Sequence, residues 1–211
     1  MTAGEPQGPD RQGVRKLEVR WILRGELLGA VASWFGRFPA ETTVLEDAYL
    51  LDPYLPGLSV KVRAGRALEV KMYLGSPGLL EVAGQARGRL ESWEKWSFPH
   101  GPPSPGSGDP AGWRPVGKRR RISWFAQATR MGVPQPGEQP ACGVELTAVD
   151  VRGEPWWTLG FEAIGPVDAL RPELDAAAAV VFADALPGGV ELSMDDSQSY
   201  LQWLRRQPDT G

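Results

Sequence analysis

The chain has one cysteine, Cys142, and one histidine, His100, among 211 residues. A single cysteine excludes an internal disulfide framework and suits a reducing compartment. The histidine sits in a Pro/Gly-rich stretch with no nucleophile elbow around it. A Ser-His or Cys-His site would depend on it alone, so His100 is assigned no role. Glycine-rich stretches lack the Lys-Ser/Thr sequel of a phosphate loop. No apolar run approaches a membrane span, and "MTAGEPQGPDRQG" at the N-terminus lacks the apolar centre of a signal peptide. Charge of one sign is also scarce: the formal net charge is −3. That argues against a general nucleic-acid or anionic-membrane binder, and no such partner is expected. The expectation is a soluble, cytoplasmic protein.

What the chain does have is alternation. In "RLESWEKWSF", residues 89–98, odd positions carry Arg89, Glu91, Trp93 and Lys95. Even positions carry Leu90, Ser92, Glu94, Trp96 and Phe98. Successive side chains on a strand point to opposite faces, so one face is mostly charged. Other runs repeat this. Lys16, Glu18 and Arg20 oppose Leu17, Val19 and Trp21; Ser59, Lys61 and Arg63 oppose Leu58, Val60 and Val62. Glu69, Lys71 and Tyr73 oppose Leu68, Val70 and Met72, and Glu145 and Thr147 oppose Val144 and Leu146. Thr158, Gly160 and Glu162 oppose Trp157, Leu159 and Phe161.

Hydrophobic content of 42% suffices for a core, and the length suits one large or two small domains. Residues 1–12, polar and rich in Gly and Pro, are expected to be disordered, and 207–211 to be a flexible C-terminus. The run "AGRA" between two strands reads as a hairpin turn. The Pro/Gly loop at 99–113 lies inside the domain, because strands resume after it. Helices are read in "ELLGAVASWFGRF", in "RPELDAAAAVVFADAL" with Pro172 near its start, and in "SQSYLQWLRR". The fold class is α+β, mainly β: a single eight-stranded antiparallel tunnel-like barrel with flanking helices, spanning 13–206.

Periodicity leaves open which way the charged face points. Outward, it is the wet side of a half-solvated sheet. Inward, it is a tunnel in which guanidinium and ammonium groups converge, a setting suited to a polyanion. The run Lys118–Arg121 leaves its own inward pair open. As a nucleic-acid patch it is short and lies in an acidic chain. Of nine tryptophans, Trp34, Trp157 and Trp203 read as core, whereas Trp93 shares the charged face and can stack on a ring.

The order of these strands resembles the CYTH superfamily, the triphosphate tunnel metalloenzymes that include adenylate cyclases of one class and thiamine triphosphatases. "KLEVR" stands where E-x-E-x-K is expected, "VKVR" for R-x-R, "LEVK" for the lysine strand and "RLESWE" for R-x-E. "KRR" stands for K-x-R, "VELTAVD" and "LGFEAIG" for the acidic strands, and "QSYLQWL" for the closing Ser-Tyr helix. The resemblance spans about residues 14–204. It implies phosphate binding by Lys16, Arg20, Lys61, Arg63, Lys71, Arg89, Lys95, Lys118 and Arg120. It also implies Mg²⁺ or Mn²⁺ held by Glu18, Glu145 and Glu162. Three positions depart from it: Lys16 replaces the first glutamate, Arg20 the lysine, and Ile164 the second glutamate of the last strand.

Three functions follow. One is a metal-dependent triphosphatase. Another is a non-catalytic binder of a phosphorylated anion or an interaction module, with its protein partner unspecified. The third turns the sheet inside out around an apolar ligand such as a lipid or pigment. With Lys16 where an acid is expected, turnover is expected to be weak or absent and binding to outlast it.

Overall fold

The computed structural model describes residues 13–99, 112–134 and 139–207. The expectations for 1–12, for His100, for most of the 99–113 loop and for 208–211 fall outside those residues. The described residues form nine strands: β1 (Val14–Arg24), β2 (Glu41–Leu50), β3 (Leu58–Arg63), β4 (Ala67–Val82), β5 (Ala86–Phe98), β6 (Trp113–Ala126), β7 (Thr129–Met131), β8 (Ala141–Val151) and β9 (Glu154–Ile164). The helices are α1 (Gly29–Phe35), α2 (Val167–Val181) and α3 (Tyr200–Arg206), with a 3₁₀ turn at Pro187–Gly189.

Strand order is β2-β3-β4-β5-β1-β9-β8-β6-β7, and β2 also pairs with β6. That last pairing closes eight strands into an antiparallel barrel, the expected architecture, with β7 as a short hairpin extension of β6. Strands before and after the 99–113 loop belong to one sheet. The β3–β4 turn uses Ala64 and Gly65 at positive φ (48° and 64°), the twist a tight hairpin needs. It falls on the predicted "AGRA" turn.

Helix boundaries differ from the sequence reading: α1 is shorter at both ends, and α2 both starts and ends earlier. α2 begins at Val167, because Pro166 precedes it with an extended backbone and Asp168 lies in its first turn. Pro172 lies inside the helix and deletes one backbone bond there. α3 begins at Tyr200, where Ser199 and Gln202 form a reciprocal capping box.

The main core lies outside the barrel. Leu17, Val19 and Trp21 from β1, Val144 and Leu146 from β8, and Leu159 and Phe161 from β9 face α2. The helix contributes Leu170, Leu174, Ala177, Ala178 and Val181. Each such leucine stabilises the fold by about 1.5–3 kcal/mol on burial. Because successive side chains alternate, this apolar layer forces the charged positions of the same strands into the lumen. The sheet is therefore oily outside and ionic inside. A lipid-lined barrel does not describe this lumen.

A second apolar cluster fills one end of the barrel. Ile22, Tyr49, Val116, Val149 and Val151 surround Trp203 and Leu204 of α3. Arg205 fastens α3 to the β2–β3 connection by donating to the carbonyls of Asp52, Leu55 and Pro56 (2.8–3.0 Å). No helix among the described residues is long and apolar enough to cross a membrane.

Candidate functional site

The lumen holds a cavity of about 340 Å³. Of the expected cations, Lys16, Arg20, Lys61, Arg63, Lys71, Lys95, Lys118 and Arg120 line it, as do Glu18, Glu145 and Glu162. Arg89 does not. It is exposed, because β5 stays beside β1 only from Glu91 to Lys95 and then diverges, and residues 196–198 fill the gap. Its backbone N–H donates to Ser197 Oγ (2.8 Å). Arg119 is exposed, and Arg121 points outward to the Ala32 carbonyl (3.0 Å), so Lys118 and Arg120 are the inward pair of that run.

Sequence reasoning missed part of the lining. Asp47 and Tyr49 of β2 face inward, and Tyr200 enters from α3. Glu69 and Glu91 sit on faces already read as polar, yet neither was assigned to the site. Alternation along Leu45, Asp47 and Tyr49 would have placed the first two, but the adjacent acids Glu46-Asp47 hide which of them points in.

The charges form three groups. In the first, Asp47 is fully buried and its Oδ2 accepts from Lys61 (3.1 Å) and Lys118 (2.8 Å). Arg63 Nε lies 3.4 Å from its other oxygen. Glu69 accepts from Lys95 at 2.8 Å and meets Arg63 and Lys61 at 3.1 and 3.2 Å. Four cations thus share two carboxylates. Burial would raise both acids, but Lys61 and its neighbours hold them far below the usual carboxylate range. The cations carry the cost: burial and Lys61 lower Lys118 to about 7, against the pull of Asp47. Burial, Lys16 and Lys71 lower Lys95 to about 8. Lys118 Nζ also donates to Tyr49 Oη (2.7 Å) and lies 3.9 Å from the Tyr200 ring centre.

The second group is a row of carboxylates. Glu91 on β5, Glu18 on β1 and Glu162 on β9 are register partners across three strands. Lys71 donates to both Glu18 and Glu162, and Lys16 donates to Glu162. Burial and the Lys16 and Lys71 charges pull Glu162 and Glu18 apart: Glu162 is held low, while Glu18 is raised by burial. Among the described residues the donor to Glu91 is the Trp93 indole N–H (3.3 Å), and burial beside Glu18 raises it to about 7.

In the third group, Arg20 reaches Glu145 (3.0 Å) and Thr158 (3.0 Å) by lying across Gly160. A Cβ there would come within 2.9 Å of the guanidinium carbon, so the missing side chain is what lets the arginine cross. Thr147 donates to Glu145 (2.9 Å), and Arg120 is farther away at 3.8 Å, its Nε without a hydrogen-bond partner among the described residues. Against burial, Arg20 and the other cations lower Glu145 to about 2.

The expected metal triad is not assembled. Glu18 and Glu162 are bridged by lysine, whereas Glu145 is engaged separately by arginine. Among the described residues no three Asp, Glu, His or Cys side chains are grouped to hold a metal ion. Lys16 and Lys71 take up the charge a divalent cation would neutralise.

No family model matches the chain, and no curated protein matches it. Solved structures do. A conserved hypothetical protein from Pyrococcus furiosus matches at 13% identity and TM-score 0.43, over 88% of this chain and 98% of that one. The RNA triphosphatase domain of a trifunctional mimivirus mRNA capping enzyme matches at 12% and 0.41, over 80% and 89%. The S. pombe Pct1 RNA triphosphatase matches at 9% and 0.40, over 82% and 80%. Likeness at these values assigns no substrate or activity to this chain.

Proposed function

We propose that this protein binds a phosphorylated small anion in its lumen, with phosphate oxygens taken by the surplus cations of the β2–β6 side. The supporting observation is the group of four cations around two carboxylates, Lys61, Arg63, Lys95 and Lys118 around Asp47 and Glu69. Like charges gathered in an enclosed site repel more strongly than in water, and an anion relieves that repulsion. Arg63 and Arg120 supply forked donors for phosphate oxygens, and the lysines supply point charges. Mg²⁺ or Mn²⁺ does not fit the carboxylates as they are arranged, so binding without brisk hydrolysis is the reading.

The test is thermal denaturation with tripolyphosphate. A ligand that binds only the folded state raises Tm, and for ion pairing the rise shrinks with added salt. A rise at low salt with little phosphate release under Mg²⁺ or Mn²⁺ is the expected result. No rise at low salt, with or without metal, removes the anion-binding reading. Brisk metal-dependent release removes the non-catalytic part of it.

A further inference from the structure

The lumen has one entrance among the described residues. At one end Trp203 and Leu204 occupy the barrel, packed on Ile22, Val116 and Val149, all buried. Trp156 and Tyr200 stack edge-on against Trp203, with ring centres 5.1 and 5.9 Å apart. This stopper is held on several sides: Arg205 on the β2–β3 connection, the Gln198 N–H on the Arg20 carbonyl (3.0 Å), and the Asp196 carbonyl on the Ile22 N–H (3.0 Å). The other end is a mouth. Glu41 there is exposed, Val133 is 45% exposed, and Ile122, Trp124 and Ile164 are half-buried.

Depth is graded between the two. Asp47, Thr147 and Thr158 at the closed end are fully buried, and Lys118 is 7% exposed. From Lys118 to Trp124 along β6 is roughly 20 Å at a strand's rise per residue.

We infer that the lumen is a blind pocket that takes the end of a linear phosphate chain and cannot thread a chain's interior. The inference rests on the anion reading above. A terminal phosphate reaching the floor meets Arg20, Lys118, Arg120, Tyr49 and Tyr200, and the chain must leave by the way it entered. A chain interior has two continuing arms, and the stopper leaves an exit for only one. Tyr200 sets the floor: it stacks on Tyr49 (5.7 Å), underlies Arg20 (4.9 Å) and Lys118, and its hydroxyl is 3.4 Å from Thr158 Oγ1.

The experiment compares linear polyphosphates of short and long chain length with the same polymers capped at both ends by a bulky phosphoramidate. Binding is followed at low salt by sedimentation and by Tm. End binding gives one protein per chain end whatever the length, and capping weakens binding tenfold or more. Occupancy that grows with chain length, or capped chains that bind as well as uncapped ones, overturns the blind pocket while leaving the anion reading standing. If neither tripolyphosphate nor uncapped polymer raises Tm, the anion reading itself fails, and this inference with it.

Discussion

Glu91 and Lys118 are the lumen residues whose protonation changes nearest neutrality, and their effects on stability run in opposite directions. Glu91 is raised from 4.5 to about 7, so the folded chain binds its proton more tightly. Stability from Glu91 is fully present below 4.5 and is lost as pH rises through about 7. Lys118 is lowered from 10.5 to about 7, so stability rises with pH between about 7 and 10.5. Glu91→Gln fixes the neutral form. The Tm of the variant minus that of the native chain should therefore grow from pH 5 to pH 8, and a flat difference contradicts the buried-carboxyl account. Asp47 presents the reverse case, a carboxylate with three cations around it. Asp47→Asn leaves those cations uncompensated and should destabilise by about 3–5 kcal/mol. Chemical denaturation measures the loss, and tripolyphosphate should recover part of it. Of the twelve residues that the strand-order resemblance implies, eleven line the lumen and only Arg89 lies elsewhere, although alternation alone left the inward pair of Lys118–Arg121 open. Parity reports the face of a strand but not where that strand leaves its neighbour.

At the scale of elements, the long β4–β5 hairpin is the part that sequence periodicity described least well. Its register shifts between Tyr73 and Gly78, with Gly75 and Gly78 both at positive φ. A bulge of this kind adds residues that break strict alternation, so the alternation that is clear through Tyr73 does not carry on to the strand's end at Val82. Beyond the bulge the hairpin leaves the lumen and packs on the outer core, where Leu90 is fully buried. Gly88 marks the closest approach. A Cβ at that position would lie 2.6 Å from the Trp21 ring and 2.7 Å from Val19. Trp21 cannot swing aside, being fully buried with its indole N–H donated to the Arg87 carbonyl (3.0 Å). Gly88→Ala should therefore cost about 1–3 kcal/mol by overpacking. Equal stability of the two chains in urea would mean that the core there yields. The turn "AGRA" was legible because turn chemistry is local; the bulge depends on what the hairpin packs against.

For the whole molecule, inward against outward was the choice that pattern alone left open. Alternation specifies two faces, and the apolar helix that covers one of them decides which becomes the lumen. The outcome is a folded state that stores cations at the expense of their protonation, as Lys95 and Lys118 show. An anion entering the lumen restores those protons. Tripolyphosphate affinity should accordingly rise as pH falls from about 9 to 7, with proton uptake visible as a buffer-dependent binding enthalpy in calorimetry. Affinity that falls over that range would place the bound anion away from these lysines. The same closed architecture also bears on how the chain can be made. Residues 192–198 bond to Gln85, Arg87, Arg20 and Ile22, and α3 then fills the barrel end. Synthesis delivers β1 well before those partners, and contacts so distant in sequence form slowly. A ribosome-bound chain therefore carries its ion-lined strands without their seal until residues 192–206 have emerged, so sealing of the barrel end is a late step of folding.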